Sequence, residues 1–295
     1  MNRASLRVGV TLGTAGPEAA ALTVCRDARS VEAAGFDAIW CFDHVLMPTD
    51  RQSLYPFADD GAILWELDDP WFDPLIWLTA IAVSTQRVEL GTNILVAALR
   101  NPLVLAKQIA TIDQLSGGRF SLGVGAGWLL EEFEALGIPT ARRGQRLDET
   151  LELMQQAWTG ATGPFTGEQV RLPRAVHMRP VPAHAIPILI GGASPAAMRR
   201  VARLNAGWIA EPRPAQDPVT MVRAGLHEIY SRAHALGCSF RSPVRVVYNA
   251  NEPLDVLDSR LDALLEAGVT DVALSIDATD SSALSSALSV IRGRN

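Results

Sequence analysis

The chain has 295 residues, 48% of them hydrophobic, with a formal net charge of −6. That length suits one α/β barrel of about 250 residues with insertions, and the acidic balance argues against a general nucleic-acid binder, which carries a basic face. No run approaches the roughly 18 consecutive apolar residues of a transmembrane helix, the first residues lack the apolar core of a signal peptide, and Cys25, Cys41 and Cys238 lie far apart without Cys-x-x-Cys spacing, which together predict a cytoplasmic protein with three reduced, buried thiols.

Strand and helix signals alternate along the chain. Leu6 to Leu12 reads as a strand, and Ala19 to Ala34 as a helix closed by Gly35. Ala38 to Phe42 is the second strand, with Asp43-His44 at its C-terminal end. Pro74 to Ser84 is a helix with Asp73 as N-cap. Val88 to Leu95 is the third strand, Pro102 to Leu115 its helix, and Phe120 to Val124 the fourth strand. The turn Gly125-Ala126-Gly127-Trp128 follows, then helical stretches over Trp128 to Leu136 and Gln145 to Trp158. Four more strand–helix pairs complete the series. They are Ile186 to Ile190 with Pro195 to Leu204, Gly207 to Ala210 with Pro218 to Leu236, Val244 to Tyr248 with Leu254 to Ala267, and Asp271 to Ile276 with Ser281 to Ile291. The alternation predicts a (β/α)8 TIM barrel spanning the chain as one domain. The alternative is a doubly wound open sheet, but the first βα turn, Gly13-Thr14-Ala15-Gly16, lacks the G-x-G-x-x-G fingerprint.

Two connections exceed the short-loop rule. Val45 to Trp71 carries Tyr55, Phe57, Trp65 and Trp71, which suits either a lid over an apolar substrate or a packed surface loop. Gly160 to Ala185, between the fourth helical region and the fifth strand, is the second. Several residues can carry chemistry. His44, at a strand's C-terminal end, can bond a ring carbonyl or move a proton near neutral pH, or can be structural. Leu90 to Leu95, which includes Asn93 and Ile94, can cradle a planar ring or simply turn. Glycine-rich turns at Gly125-Ala126-Gly127 and Gly191-Gly192-Ala193 let a ligand approach the backbone, and the second opens a helix whose N–H groups suit a phosphate. Ser194 is equally a plain N-cap, and Arg199 and Arg200 either screen a phosphate or face solvent. Glu131, Glu132, Arg142, Arg143 and Arg146 read as a solvated, ion-paired helix face. His177, His184, His227 and His234 lack metal-ligand spacing, and no metal is expected.

Particular stretches carry a family resemblance. They are Phe42-Asp43-His44-Val45, Glu89 to Leu95, Arg100-Asn101-Pro102 through Gly127-Trp128, Glu132 to Gly137, Arg143 to Glu149, Pro187 to Pro195 and Gly207-Trp208. In these the chain resembles the luciferase-like monooxygenase superfamily, and within it the coenzyme-F420-dependent oxidoreductases. The block from Leu115-Ser-Gly-Gly-Arg119 to Trp128 is specific for the superfamily but less so for the cofactor, since FMN-using relatives share it. The resemblance implies a deazaflavin or flavin in the barrel mouth, with Asp43 and His44 facing its ring and Asn93-Ile94 at the position of a non-proline cis peptide behind it. Gly125 to Trp128 and Gly191 to Ala193 match turns that hold the cofactor tail and phosphate.

One departure is informative. Where the F420-dependent sugar-phosphate dehydrogenases of this superfamily carry an acidic proton donor, this chain has Trp128, so glucose-6-phosphate oxidation is not expected and His44 is the remaining proton-transfer candidate. The resemblance implies an F420-dependent oxidoreductase acting on a small organic substrate, fed by an F420- or flavin-reducing enzyme and assembled as a homodimer. An FMN-dependent two-component monooxygenase and a catalytically silent flavin-binding barrel are the alternatives.

Overall fold

The computed structural model describes residues 2–16, 19, 22–248 and 253–293. Eight parallel strands close a barrel: β1 (Arg7–Thr11), β2 (Ala38–Cys41), β3 (Glu89–Thr92), β4 (Phe120–Val124), β9 (Ile188–Gly191), β10 (Gly207–Ala210), β11 (Val244–Tyr248) and β12 (Asp271–Leu274). β1 pairs with both β2 and β12, so the ring has no edge and the open-sheet alternative is excluded. Helices α1 (Val24–Ala34), α2 (Pro74–Ser84), α3 (Pro102–Ser116), α4 (Leu130–Ala135), α5 (Arg143–Ala157), α6 (Pro195–Leu204), α7 (Pro218–Ala235), α8 (Leu254–Ala267) and α9 (Ser281–Arg292) fill the connections.

Local chemistry sets the helix ends. Asp73 and Asn101 accept N–H groups of the first turns of α2 and α3, each followed by proline at the first helical position. Gly35 closes α1 at φ 96°, a left-handed cap that suits a residue without a Cβ. The helix expected from Ala19 starts at Val24, and residues 20 and 21 lie outside the described residues. The stretch expected to be helical from Trp128 begins at Leu130. Between Gly160 and Ala185 the chain is not a plain loop. It folds into two antiparallel ladders of two-residue strands, β5 (Ala161–Thr162) with β8 (Val176–His177) and β6 (Phe165–Thr166) with β7 (Arg171–Leu172). Among the cysteines only Cys41 is buried; Cys25 is partly exposed and Cys238 exposed, contrary to the expectation of three buried thiols. No helix among the described residues is long and apolar enough to cross a membrane.

Strand alternation sends every second residue into the barrel. The pairing registers join the members of one set: Arg7, Gly9, Ala38, Trp40, Glu89, Gly91, Ser121, Gly123, Leu189, Gly191, Ile209, Arg245, Val247, Asp271 and Ala273. The lower barrel is polar. The Arg245 guanidinium lies 3.4 Å from the centroid of the Trp40 ring, with Glu89 and Asp271 each 3.9 Å from its Nη2. Burial pulls the Arg245 pKa down to about 10 while Asp271 and Glu89 oppose that fall, so the side chain stays cationic near neutrality. Trp40 fits because its neighbours lack side chains: a Cβ on Gly9 would sit 2.2 Å from Trp40 Nε1, and one on Gly91 3.0 Å from Trp40 Cζ3. Above this layer Leu189, Ile209 and Val247 form an apolar plug against Ile94.

Two buried carboxylates fasten connections outside the barrel. Glu32 accepts the N–H groups of Gln86, Arg87 and Val88, and Glu149 those of Glu168, Gln169 and Val170. Burial works against each charge, but the backbone donors outweigh it and lower both pKa values below the usual carboxylate range. A depressed folded-state pKa stabilises the fold above the unfolded value and loses that stabilisation as the pH falls through the folded value. The urea midpoint should therefore be flat from pH 7 to about pH 5 and fall steadily below it. For Glu149→Gln that acid slope should be shallower than in the parent; equal slopes would show that this clamp does not contribute.

Candidate active site at the C-terminal mouth

The C-terminal strand ends open onto a cavity of about 180 Å³ lined by Thr11, Phe42, His44, Asn93, Ile94, Trp128, Glu211 and Ser275, and roofed by Tyr55, Phe57 and Trp65. A second cavity of about 600 Å³ shares Thr11, Phe42, Trp65 and Ser275 with it. Strand alternation explains much of the lining: Thr11, Phe42, Asn93, Glu211 and Ser275 each stand two residues beyond an inward-facing member of their own strand.

His44 is held from one side. Its Nδ1 is 3.1 Å from Glu132 Oε2, and Glu132 Oε1 accepts the Val45 N–H at 2.5 Å. A carboxylate offers only acceptors, so Nδ1 donates and Nε2 is the nitrogen left for a ligand. The imidazole packs edge-on between Trp71 and Trp128, at 5.2 and 5.4 Å between centroids. Glu132 is 1% exposed. The reading of Glu131 and Glu132 as a solvated face is therefore corrected, because both point into the Val45–Trp71 segment rather than into solvent. Glu131 accepts the N–H groups of Gln52 and Ser53. Burial raises its pKa, but the Ser53 hydroxyl and those backbone donors bring it down to about 2. Arg146 donates to the Ala98 and Gln169 carbonyls, and Arg142 pairs with Glu168. Arg200 is tied to Asp148 and to the Gly144 carbonyl rather than facing a phosphate.

Asp43 lies at the mouth, but its carboxylate turns away from the cavity. Arg100 binds both oxygens at 2.6 and 2.8 Å, the Val96 N–H adds a third bond, and the side chain has no exposure. Asn93 and Ile94 are joined by a cis peptide. The Asn93 N–H is donated to the Cys41 carbonyl at 2.7 Å, whereas Asn93 Oδ1 and Thr11 Oγ1 are buried without a hydrogen-bond partner among the described residues. Buried polar atoms are costly to leave unpaired, and these two border the cavity.

The glycine turns have a packing role. A Cβ on Gly125 would stand 2.8 Å from Ile94 Cδ1, and one on Gly191 2.7 Å from Ile94 Cγ2, so these glycines make room for the Ile94 side chain. Gly127, at φ 78°, lies against Phe133 and Val96, and Ala126 packs on the main core. Gly192 has open space but no free backbone group, since its N–H goes to the Ile209 carbonyl and its carbonyl accepts Trp208 Nε1. Ser194 caps α6 through the Ala197 N–H, and Ala193 lines a separate groove with Asp217 and Glu228. The structure thus gathers Asp43, His44, Asn93, Ile94 and Trp128 around one cavity and leaves Gly125 to Gly127 and Gly191 to Ala193 outside its lining. Among the described residues no group of three or more His, Cys, Asp or Glu is placed to hold a metal.

Sequence reasoning missed Glu211 and Glu132. Glu211 follows β10, and burial pushes its pKa up to about 8. Its signal was available as the second residue past inward-facing Ile209. Glu132 gave none, because nothing local shows that α4 turns toward the β2 loop.

A closed (β/α)8 barrel with a largely apolar cavity carrying a few polar groups at its C-terminal mouth is the layout of a barrel enzyme. Comparison narrows the class. Residues 5–270 match the luciferase-like monooxygenase family, and the chain belongs to that family of oxidoreductases. An uncharacterized protein of Mycobacterium tuberculosis is 35% identical over 182 residues, covering 62% of each chain, so the match spans less than two thirds of that relative. An F420-dependent glucose-6-phosphate dehydrogenase of Nakamurella multipartita is 37% identical over 186 residues, covering 62% of this chain and 50% of the relative. Among solved structures, an F420-dependent secondary alcohol dehydrogenase in complex with an F420–acetone adduct superposes with a TM-score of 0.75 at 15% identity, over 99% of this chain and 98% of that one. The FMN-bound oxygenating constituent of 3,6-diketocamphane monooxygenase of Pseudomonas putida gives 0.73 at 15% identity, over 98% and 97%.

Removing the Glu132 carboxylate should loosen the roof. Glu132→Ala orphans the Val45 N–H and His44 Nδ1, at about 1–3 kcal/mol for each buried group left unpaired. Limited proteolysis should then cut faster within Val45 to Trp71 than in the parent protein, and equal rates would show that the clamp is not needed.

Proposed function

We propose that the chain is an F420-dependent oxidoreductase that moves a hydride between the deazaflavin and a small, neutral organic substrate such as a ketone, enone or alcohol. The observation that carries this reading is the pair of unpartnered buried atoms, Asn93 Oδ1 and Thr11 Oγ1, bordering the same cavity as His44. They suit the polar edge of a planar heterocycle. When bound, the deazaflavin supplies a two-electron hydride donor or acceptor. Asn93 and Thr11 would bond its ring edge, Ile94 would lie beneath it, and His44 would bond it through Nε2 or relay a proton. The amides around Ala193, at the start of α6, are the candidates for its tail. Relatives named for F420 support this cofactor over FMN.

A sugar phosphate fits this mouth poorly. Arg100 is committed to Asp43 and Asp73, and Arg51 to the Ser53 and Gly61 carbonyls. The aromatic roof suits an apolar body instead. The reading includes a cytoplasmic setting and a separate F420-reducing enzyme that supplies the cofactor.

Titration of the purified protein with F420 and with FMN, followed by quenching of tryptophan fluorescence, tests the cofactor. F420 should bind more tightly, and Asn93→Ala should weaken it about tenfold, equivalent to roughly 1.4 kcal/mol. Tighter FMN binding, with oxygen consumed in the presence of a flavin reductase, would move the chain to two-component monooxygenation. Binding without turnover of any ketone or alcohol would mark a silent flavin-binding barrel.

The same reading includes a homodimer. α2 has no charged residue along its length, and Ile76 and Val83 on its outer side are 67% and 62% exposed. Val104 and Leu115 of the neighbouring α3 add to this apolar face at 56% and 50%. A helix apolar on all sides is ordinarily covered. Sedimentation should give a dimer for the parent and a monomer for Ile76→Lys/Val104→Lys; a monomeric parent at micromolar concentration rejects the interface.

A further inference from the structure

We propose that Glu211 exchanges a proton with the substrate oxygen in this mouth and restricts the site to neutral carbonyl and hydroxyl compounds. The proposal deepens the hydride-transfer reading above and rests on it.

Placement comes first. Glu211 follows β10 in the inward parity of Ile209. In the ring order β1-β12-β11-β10-β9-β4-β3-β2, β10 lies four strands from β2, which carries His44 at its end. In an eight-stranded ring that is the opposite wall, so a ligand in the cavity has His44 on one side and Glu211 on the other. The other acids near the mouth are committed: Asp43 to Arg100, and Glu132 to His44 and Val45. The Glu211 carboxyl has no hydrogen bond to the protein among the described residues, which leaves its oxygens for a ligand.

The electrostatics agree with that placement. Burial alone pushes the Glu211 pKa up to about 8, and no cation opposes it. The facing titratable groups are few. Tyr55, on the roof, has its own pKa raised by burial and by the Glu211 charge. His44 is bonded to Glu132, and Arg51 lies over Trp128 with its guanidinium on backbone carbonyls. Asp277, in the adjoining cavity, accepts from Thr279. Near neutral pH Glu211 is therefore chiefly a carboxylic acid, able to donate to a carbonyl oxygen. Above pH 8 it becomes an anion with no counter-charge beside it. A phosphate or carboxylate substrate would meet a buried carboxyl with no cation beside it to balance its charge, or, above pH 8, a like charge.

The chemistry balances with the proposed cofactor. A ketone would gain a hydride at its carbonyl carbon, supplied by the reduced deazaflavin, and a proton at oxygen from the Glu211 carboxyl. The C=O π bond breaks while one C–H and one O–H bond form. The two electrons would come from the reduced deazaflavin when it is bound, and Glu211 would be left as the carboxylate. In alcohol oxidation the same carboxylate accepts the hydroxyl proton. A positioned acid of this kind contributes about 10²–10⁴-fold in rate.

Three measurements on the full chain, made on the parent, Glu211→Gln and Glu211→Asp, decide the proposal. Difference infrared spectroscopy of the cofactor-free protein should show a protonated carboxyl band that disappears near pH 8 and is absent from Glu211→Gln. Tryptophan quenching should give F420 affinities within about threefold of each other, because the glutamine keeps the shape of the side chain. Ketone reduction over a panel of neutral ketones should fall at least 100-fold in Glu211→Gln and recover in part in Glu211→Asp. In the parent it should decline as the pH rises through 8, a limb that Glu211→Gln loses. A carboxyl already ionised at pH 7 overturns the proposal, and so does a Glu211→Gln enzyme with parental turnover and pH profile. A parent that binds F420 but reduces no neutral ketone, or that prefers anionic ones, also overturns it. A parent that binds no F420 overturns the cofactor reading instead, and the infrared titration still reports on Glu211.

Discussion

The stacking of the Arg245 guanidinium on the Trp40 ring inside the barrel is the interaction on which the mouth depends. A cation–aromatic contact at 3.4 Å, shut off from water and flanked by Glu89 and Asp271, fills the lower barrel with the two largest inward side chains of their strands. It is possible only because Gly9 and Gly91 present no side chain to the indole. With the lower layer filled, the plug of Leu189, Ile209 and Val247 has something to rest on. The strand ends beyond that plug, rather than a channel, become the usable space.

Floor and roof of that space are built by different means. The floor is a steric lock: Ile94, turned by the cis peptide, sits where Gly125 and Gly191 have left room for it. The roof is held electrostatically, with the consecutive acids Glu131 and Glu132 of α4 taking backbone N–H groups from Val45, Gln52 and Ser53. One of those acids also fixes the His44 tautomer, so the orientation of the imidazole and the position of the roof share a single carboxylate. The aromatic rings above, with Trp65 and Trp71 at 5.0 Å and Tyr55 and Trp128 at 5.4 Å, form a continuous apolar ceiling.

Much of this was legible in the sequence, for physical reasons that differ by element. The eight strands announce themselves because each is a short apolar run bounded by glycine, proline or a helix cap, and His44 and Asn93 could be placed at the mouth from strand ends alone. The ladders between Gly160 and Ala185 were invisible because a two-residue strand carries no period. Gly125 and Gly191 stand out in the sequence, but a sequence shows that a Cβ is missing and not that the Ile94 side chain occupies its place. Glu132 was misread because a charged run on a short helix looks solvated until the segment that buries it is in position. Glu211 belongs to no motif and needed only the alternation of β10 to be carried one step further.

The division between floor and roof bears on how substrate range can change in such an enzyme. Ile94, Gly125 and Gly191 come from the ends of three separate strands and must change together, because a larger residue at either glycine collides with the isoleucine. Tyr55, Phe57 and Trp65 come from one uninterrupted stretch of chain whose attachment is mostly through backbone N–H groups that any residue other than proline supplies. Exchange of that stretch as a unit could therefore reshape what the mouth accepts while the barrel beneath keeps its packing, so floor and roof can diversify at independent rates.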